Sequence, residues 1–467
     1  MNSDNTEENP EELELLLRQY EEHLKQETVP YWEQESFLMV IDYYDDELEF
    51  DKALQITEEA IEQHRYSAPL YIRKAQLLTE KNQLGEAFEF LEKATLFEPT
   101  NIEIYLTKCD LYMRQNDQRK ALEILNEARY IADDEDLPDL YVLKATIYEI
   151  QENHKNAMKF LKKALEKAPK NTLALNRLWI AIDTLGDYAA SIEYHLEFID
   201  QHPYSYWAWY NLGLSYNAVG LKEKAAEAFD FSITINEQFE PAYHDYIVTL
   251  LELERCNEAL RYLEEYKSLF EPDAEIWFRL GRCYEWKEKY EESKNFYHKA
   301  LQIDNLGGDV HYHLGNCYVA EQQWKEAIVA YKQAYEADNK NEQFSLALAD
   351  AYDANGNSPM AQKYYQKAIE TAPAEAIVWI HYIEFLIDEE AYEVALEMLT
   401  EARQYTQDLI LDCVQAAILI ESGNRKAGFV VLGNILKEDE NMIDHFFEIA
   451  PMLENDSEVL LFIKQHH

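Results

Sequence analysis

A small residue returns at the same place in successive stretches of 34 residues along most of this chain. Counted from the start of each stretch, position 20 is Ala or Ser in all eleven of them. The residues at this position are Ala53, Ala87, Ala121, Ala157, Ser191, Ala225, Ala259, Ser293, Ala327, Ala361 and Ala395. Self-similarity at such a period indicates tandem units that stack on their neighbours, and not a domain with one central core.

The register of these repeats holds along the chain with one exception. The repeats begin at Gln34, Ala68, Ile102, Pro138, Thr172, Tyr206, Glu240, Ala274, Gly308, Glu342 and Ala376. Only the third repeat is longer, by two residues in the acidic loop 133–137. We therefore predict eleven clear repeats, followed by a degenerate twelfth.

Within a repeat, the apolar residues have helical spacing. In the sixth repeat, positions 4, 7, 8 and 11 share one helix face and are Trp209, Leu212, Gly213 and Tyr216. Positions 20, 24 and 27 give a second helix one face in the same way, with Ala225, Phe229 and Ser232. A small residue beside large ones lets two helices approach closely. We predict an all-α chain in which each repeat is an antiparallel pair, helix A followed by helix B.

The order of these residues resembles the tetratricopeptide repeat, whose pattern is W-x2-L-G-x2-Y followed by A-x3-F. Trp209, Leu212, Gly213 and Tyr216 match its first part, and Ala225 and Phe229 match its second. The resemblance implies an α-solenoid, a right-handed superhelix of antiparallel helix pairs. It also implies a concave groove lined by the helices A.

Four segments are predicted along the chain. Residues 1–33 form an acidic tail and a capping helix, and residues 34–408 form the eleven repeats. Residues 409–441 form the degenerate repeat, and residues 442–467 form C-terminal capping helices. Terminal units with one polar face are what a stack of repeats needs to stay soluble.

The charge of the chain restricts its partners. Asp and Glu number 90 against 42 Lys and Arg, a net charge of −48. This balance argues against nucleic acid and against anionic membrane surfaces, since both are bound through Lys and Arg. No apolar run reaches the ~18 residues of a membrane helix, and the polar start does not resemble an export signal. With five cysteines and no disulfide pattern, we expect a reduced cytoplasmic protein without membrane insertion.

No pattern of catalytic or metal-binding residues is found. The common phosphate-binding, nucleophile-elbow and H-E-x-x-H zinc motifs are absent from the sequence. His311 and His313 point to different sides of a helix and cannot share a metal, so we expect His311 to be a packed core residue. We predict that the chain is not an enzyme and has neither a cofactor nor a metal site.

Lysine replaces the usual leucine at position 7 of the second, third and fourth repeats, as Lys74, Lys108 and Lys144. One interpretation is a slightly rotated apolar stripe with the amino groups reaching outward to solvent. The other is a functional basic row, because residues 68–171 carry a net charge of only −2.

If positions 4, 7, 8 and 11 of helix A are buried, its opposite face holds positions 2, 6, 9 and 13, flanked by 5 and 12. In the middle repeats this face carries aromatic, Arg and Asn residues, which often anchor interfaces. The candidate protein- or peptide-binding residues are Asn176, Arg177, Trp207, Tyr210, Asn211, Asn217, His244, Phe278, Arg279, Arg282, Tyr312 and Asn316. The alternative is that they are scattered polar and packing residues.

The function expected from this pattern is a non-catalytic scaffold that binds a protein or extended peptide in its concave groove. The alternative is a regulatory or carrier subunit of a separate enzyme or assembly complex. Residues 1–67 and 342–467 each carry a net charge of −16. These acidic ends could steer a basic partner, or they could simply keep an apolar solenoid soluble.

Overall fold

A computed structural model describes residues 10–25, 31–304, 307–439 and 441–466. The chain divides into two compact units, an N-terminal unit that ends at Thr249 and a C-terminal unit that begins at Leu250. The described residues of both units form α-helices joined by short turns, with one 3₁₀ turn and no strand. The prediction of an all-α chain is therefore confirmed.

The N-terminal unit contains thirteen complete helices among its described residues. They are α1 (Pro10–Lys25), α2 (Gln34–Asp46), α3 (Phe50–Gln63), α4 (Ala68–Glu80), α5 (Leu84–Phe97), α6 (Ile102–Arg114), α7 (Gln118–Ala128), α8 (Leu137–Ile150), α9 (His154–Lys167), α10 (Thr172–Leu185), α11 (Tyr188–Gln201), α12 (Tyr206–Ala218) and α13 (Lys222–Ile235). The division between the units falls within α14 (Glu240–Glu252).

The C-terminal unit continues the same alternation of helices. Its described elements are α15 (Cys256–Leu269), α16 (Ala274–Trp286), α17 (Tyr290–Ile303), α18 (Gly308–Ala320), α19 (Trp324–Ala337), α20 (Glu342–Ala354), α21 (Ser358–Thr371), α22 (Ala376–Asp388), α23 (Tyr392–Ala402), α24 (Ile410–Glu421), α25 (Arg425–Glu438), α26 (Met442–Ile449), the 3₁₀ turn Pro451–Leu453 and α27 (Ser457–His466).

The predicted repeat register coincides with the helix boundaries. Ten of the eleven helices A begin at the residue predicted to open the repeat, and α8 begins one residue earlier, at Leu137. Position 20 is buried in every repeat, including the two serines, Ser191 and Ser293. Helices A and B can pack closely only where a small side chain lies between them. This requirement explains why position 20 is both small and buried at the same place in every repeat.

The turn between helices A and B contains a residue with positive φ at position 15 of all eleven repeats. Glycine fills this position in only three repeats, at Gly186, Gly220 and Gly356. The other eight repeats use Leu48, Asn82, Asn116, Glu152, Glu254, Glu288, Gln322 and Glu390, with φ between 56° and 60°. A non-glycine residue in this left-handed region costs roughly 1 kcal/mol, so this turn stores strain at most of its occurrences.

A second constraint explains the glycine at position 8 of three helices A. A Cβ atom on Gly281 would lie 2.3 Å from the ring of Tyr297, and one on Gly315 would lie 2.4 Å from the ring of Tyr331. Gly213 has the same relation to Phe229, at 2.5 Å. In these repeats the aromatic residue at position 24 of helix B therefore lies directly across the backbone of helix A.

The three lysines at position 7 do not behave alike. The amino group of Lys74 pairs with Glu58 at 2.8 Å and lies over the ring of Phe90. Lys144 is only 3% exposed, and its amino group donates to Asn126 Oδ1 at 2.9 Å. Burial lowers the pKa of Lys144 to about 8. The prediction that these stems reach outward to solvent is wrong for Lys144, because Asn126 gives its amino group a partner inside the stack.

Two of the predicted segment boundaries, at 34 and 442, coincide with helix starts, and α24 begins at Ile410, one residue after the boundary at 409. Helix α2 begins at Gln34, and α24 and α25 follow the eleventh repeat as a further helix pair, packed against each other. Helices α26 and α27 lie within the predicted C-terminal cap. The division into four segments with capping roles stays a prediction, as does the role of residues 1–9, which lie outside the described residues.

Candidate partner-binding surface

Several helices A of the N-terminal unit carry ionic contacts to the helix A of the preceding repeat. At position 6 of the second repeat, Arg73 pairs with Asp42 at 2.6 Å and Asp45 at 2.7 Å in the first. At position 6 of the fifth repeat, Arg177 pairs with Glu149 at 2.6 Å in the fourth. The base is thus 28 residues after an acid at position 12 of the preceding repeat.

Arg177 is therefore not an unpaired cation waiting for a partner. Its guanidinium group also donates to Thr146 Oγ1 at 2.8 Å, and its side chain is only 16% exposed. Position 6 points toward the preceding helix A and not straight into solvent. This orientation gives Arg177 a structural role in joining two repeats.

The C-terminal unit repeats this arrangement with histidines. His313, at position 6 of the ninth repeat, lies 3.0 Å from Glu285 at position 12 of the eighth. His381, at position 6 of the eleventh repeat, lies 3.3 Å from Asp350, which is at position 9 of the tenth repeat and not at position 12. Contact with the Asp350 carboxylate raises the pKa of His381, and burial opposes that shift.

Each of these carboxylates is also held by a tyrosine from helix B of its own repeat. The Tyr365 hydroxyl donates to Asp350 at 2.6 Å, and the Tyr297 hydroxyl donates to Glu285. Tyr297 can reach this side of the helix pair because Gly281 has no side chain in its way. One carboxylate therefore joins two helices of one repeat and the helix A of the next.

The acids of the tenth and eleventh repeats lie close together. Burial raises the pKa of Asp353, and the charges of Asp388, Glu389 and Asp350 raise it further. Burial also raises the pKa of Glu384; Asp350 adds to the shift, whereas His381 opposes it. This side of the C-terminal unit is therefore strongly acidic, with His381 as a neighbouring base.

Aromatic rings form the corresponding surface in the sixth repeat. Trp207 and Tyr210 lie with ring centres 5.8 Å apart, and both contact Phe239, at 4.7 and 5.1 Å. The Tyr210 hydroxyl donates to Asp245 Oδ2 at 2.6 Å. Burial and the Asp245 charge both raise the pKa of Tyr210. Trp207 and Tyr210 stay partly exposed, so this cluster is accessible from one side.

Asn211 does not belong to the accessible surface. Its side chain is completely buried, and its amide nitrogen donates to the carbonyl of Leu175 at 2.9 Å. This burial corrects the prediction that Asn211 is a binding residue. The reason is the same as for Arg177, because position 6 faces the preceding helix A.

Asn211 lies beside a buried polar cluster that the sequence analysis missed. His195 and Ser191 hydrogen-bond within helix α11, and Ser191 Oγ lies 2.7 Å from Ser215 Oγ of helix α12. His195 is fully buried, and burial lowers its pKa to about 4. A serine at position 20 is the signal that could have found it, since most repeats have alanine there.

The candidates of the C-terminal unit fall into a group and two separate arginines. The Phe278 and Tyr312 rings each lie 5.5 Å from His313, and Asn316 accepts a hydrogen bond from Tyr331 at 2.7 Å. Arg279 is mostly buried and pairs with Glu275 of its own helix at 3.1 Å. Arg282 is exposed on the same helix as Arg279.

The remaining candidates are polar residues of the N-terminal unit. Asn176 and Asn217 are partly exposed. His244 is also partly exposed and lies 3.9 Å from Glu240 Oε1. These three residues keep access to solvent, but their binding role stays a prediction.

The cysteines and histidines do not form a reactive centre among the described residues. All five cysteines are buried, and burial raises the pKa of Cys109, Cys283, Cys317 and Cys413 to about 12. Within the described ranges, no group of three His, Cys, Asp or Glu side chains is arranged to hold a metal ion. His311 is half-buried, and burial lowers its pKa.

Three family models, each described as the tetratricopeptide repeat, match this chain. One matches residues 273–340, another matches 78–147 and 318–380, and a third matches 138–171 and 208–239. Together the matches span about half of the chain. The chain is a tetratricopeptide repeat protein. Tetratricopeptide folds are typical of protein–protein interaction scaffolds, and no enzyme family is among these matches.

A curated relative is similar over a short region only. The general transcriptional corepressor ssn6 of Schizosaccharomyces pombe is 27% identical over 119 residues. The matched region covers 26% of this chain and 11% of the corepressor. This tetratricopeptide repeat protein therefore matches only a small part of that relative's length.

Solved structures of tetratricopeptide repeat proteins are similar at low sequence identity. YrrB, described as having an unusual peptide-binding site, is 16% identical over 39% of this chain and 95% of its own, with a TM-score of 0.34. A chain of the Cut9–Hcn1 heterotetramer of APC/C is 12% identical over 97% of this chain and 94% of its own, with a TM-score of 0.40. A Parabacteroides merdae repeat protein is 13% identical over 53% and 98%, with a TM-score of 0.39.

A membrane-crossing helix would need about 20 consecutive apolar residues. Among the residues that the structure describes, no helix has the length and apolar character to cross a bilayer.

Proposed function

We propose that this tetratricopeptide repeat protein is a non-catalytic scaffold that binds a protein or extended peptide on the exposed faces of its helices A. The supporting observation is that each unit keeps aromatic side chains partly exposed there, beside ionic groups that are already paired. In the N-terminal unit these side chains are Trp207 and Tyr210, and in the C-terminal unit they are Phe278 and Tyr312.

This arrangement suits binding better than catalysis. Large aromatic side chains with restricted rotamers are frequent anchors of protein interfaces. The neighbouring bases already contact fixed carboxylates, as His313 does with Glu285 at 3.0 Å, so a partner would meet a preformed surface. The exposed Arg282 supplies a donor for a carboxylate or a backbone carbonyl of the partner.

The test is capture of partners from a native lysate, followed by mass spectrometry, with variants matched by helix face. Trp207→Ala removes a ring from the proposed surface. Trp209→Ala removes a ring from the same helix that instead stacks on Phe231 of helix B, with centres 4.5 Å apart. In the C-terminal unit, Arg282→Glu is compared with Arg261→Glu, an exposed arginine on helix α15.

A partner lost with Trp207→Ala or Arg282→Glu, and kept by the two controls, would support the proposal. Thermal melting by circular dichroism would check that all four variants are folded. A partner kept by all four variants would overturn the assignment to the helix A faces. If the captured protein is an enzyme in a stoichiometric complex, the alternative of a regulatory or carrier subunit applies. The basic character of the partner and the cytoplasmic location stay predictions.

A further inference from the structure

An aromatic pocket lies between two consecutive inter-repeat turns of the N-terminal unit. It has a volume of about 420 Å³, in the range of pockets that hold small ligands or large side chains. Its walls include Pro169, Leu175, Pro203, Tyr204 and Trp207. None of its eleven lining residues is acidic, and Lys170 and His202 are the ones that can carry positive charge.

A basic stripe leads along helix α9 to this pocket. Residues 154–170 contain six lysines and one glutamate, in a chain with a net charge of −48. Lys155, Lys159, Lys162 and Lys163 have i, i+4, i+7 and i+8 spacing and so share one helix face. The chain runs directly from the end of α9 into Pro169 and Lys170 at the pocket.

Several of these lysines lack an acidic partner. Among the described residues, no carboxylate lies within ion-pair distance of Lys155, Lys159 or Lys170, and all three are exposed. Lys162 differs, since it lies 4.2 Å from the ring of Tyr194 and near acids of helix α11. Lys167 pairs with Asp134 at 2.7 Å. The unpaired charges are thus at the start of the stripe and at the pocket.

We propose that this surface binds an acidic segment of a partner protein, with one large apolar or aromatic side chain of that segment inserted into the pocket. Charge complementarity favours an acidic segment along Lys155, Lys159 and Lys170. The proline and aromatic walls favour an apolar anchor. A short peptide is favoured over a nucleic acid, because a long polyanion would extend past the stripe and come within a Debye length, about 8 Å, of acidic residues elsewhere on the chain.

The inference rests on the proposed function, because it names the chemistry of one partner segment. It uses a surface of inter-repeat turns and a helix B, and shares only Trp207 with the helix A faces. A failure here would leave the lysate experiment on Arg282 unaffected, so the two proposals can fail separately.

The experiment is fluorescence anisotropy of the full chain with labelled short peptides. The probe is rich in Glu and contains one central Phe. A second peptide has Ala for Phe, and a third has Gln for every Glu. A single-stranded oligonucleotide of similar charge serves as the polyanion control. We expect both altered peptides to bind about tenfold more weakly or worse, as for loss of an interface anchor, and added salt to weaken binding of the first peptide.

Protein variants locate the site. Lys159→Glu, Lys170→Glu and Tyr204→Ala change exposed side chains and should each weaken binding of the Phe peptide severalfold or more. The matched controls are Lys363→Glu, an exposed lysine at the same repeat position as Lys159 on another helix B, and Tyr66→Ala, which has the same repeat position as Tyr204. Both tyrosines are more than 80% exposed, so neither change should disturb folding.

Three outcomes would overturn the proposal. The first is equal binding of the Phe and Ala peptides, which would mean that the pocket takes no anchor. The second is oligonucleotide binding as tight as that of the Phe peptide, which would make the stripe a general anion surface. The third is no difference between the site variants and their controls.

Discussion

The buried imidazole of His195 should make the stability of the N-terminal unit depend on pH. Its side chain has no exposed surface, and its Nδ1 atom lies 2.9 Å from the carbonyl oxygen of Ser191. Burial lowers its pKa to about 4, although the Ser191 carbonyl opposes the shift and the charge of Lys162 adds to it. In an unfolded chain the pKa of histidine is near 6.5.

The sign and size of the effect follow from these two pKa values. Above about pH 6.5 the ring is neutral in both states and makes no difference to stability. As the pH falls from about 6.5 to about 4, the unfolded chain takes up a proton that the folded chain excludes. The free energy of unfolding then decreases by about 2 kcal/mol at pH 5 and by about 3 kcal/mol once both states are protonated.

The assay compares the wild type with His195→Gln, which keeps a hydrogen-bonding side chain but cannot titrate. Urea unfolding is monitored by circular dichroism near pH 7 and near pH 5. The acidic residues titrate in both proteins, so their effect on stability cancels when the two losses are compared. The wild type should therefore lose about 2 kcal/mol more than the variant over this interval. Equal losses, or an NMR titration that places the folded His195 ring near pH 6.5, would refute the reasoning.

Three further predictions concern strain, packing and a second histidine. Leu48→Gly relieves a left-handed residue with φ of 59° and should raise the unfolding free energy by up to about 1 kcal/mol, measured by urea unfolding. Gly281→Ala places a Cβ atom against Tyr297 and should cost about 1–3 kcal/mol in the same assay; an unchanged midpoint would contradict the packing. Asp350 raises the pKa of His381, so this pair stabilises the fold below the usual pKa of histidine, and its contribution is lost as the pH rises through the raised value. His381→Gln should therefore lower the melting temperature more near pH 5.5 than near pH 8.

The repeat register could be predicted because the same pattern of small and apolar residues recurs in eleven repeats. A small residue at position 20 and the apolar spacing of helix A were enough to place ten of eleven helix starts. The left-handed turn at position 15 was not predicted. Residues other than glycine, such as Leu48 and Glu254, occupy it in eight repeats and glycine in only three, because the helices on either side impose the backbone conformation.

The candidate surface was predicted less well. A helix A in this stack has a face packed on its own helix B, a face toward the preceding helix A and a face toward solvent, and the prediction distinguished only buried from exposed faces. Position 6 was assigned to the exposed face, yet Asn211 and Arg177 both turn toward the preceding helix A. A signal was present in the sequence, since Arg177 and His313 each follow an acid by 28 residues. Reading pairs across repeats would have found it.

The shared carboxylates have a consequence for how this protein responds to force. Glu285 is held by Tyr297 from its own helix B and by His313 from the next repeat. Hydrogen bonds are directional and apolar contacts are not, so such a junction should resist sliding of one repeat past another more than apolar contacts alone do. Under tension, the repeats joined at Glu285 and Asp350 should therefore detach in abrupt steps, while neighbours without a shared carboxylate should yield gradually.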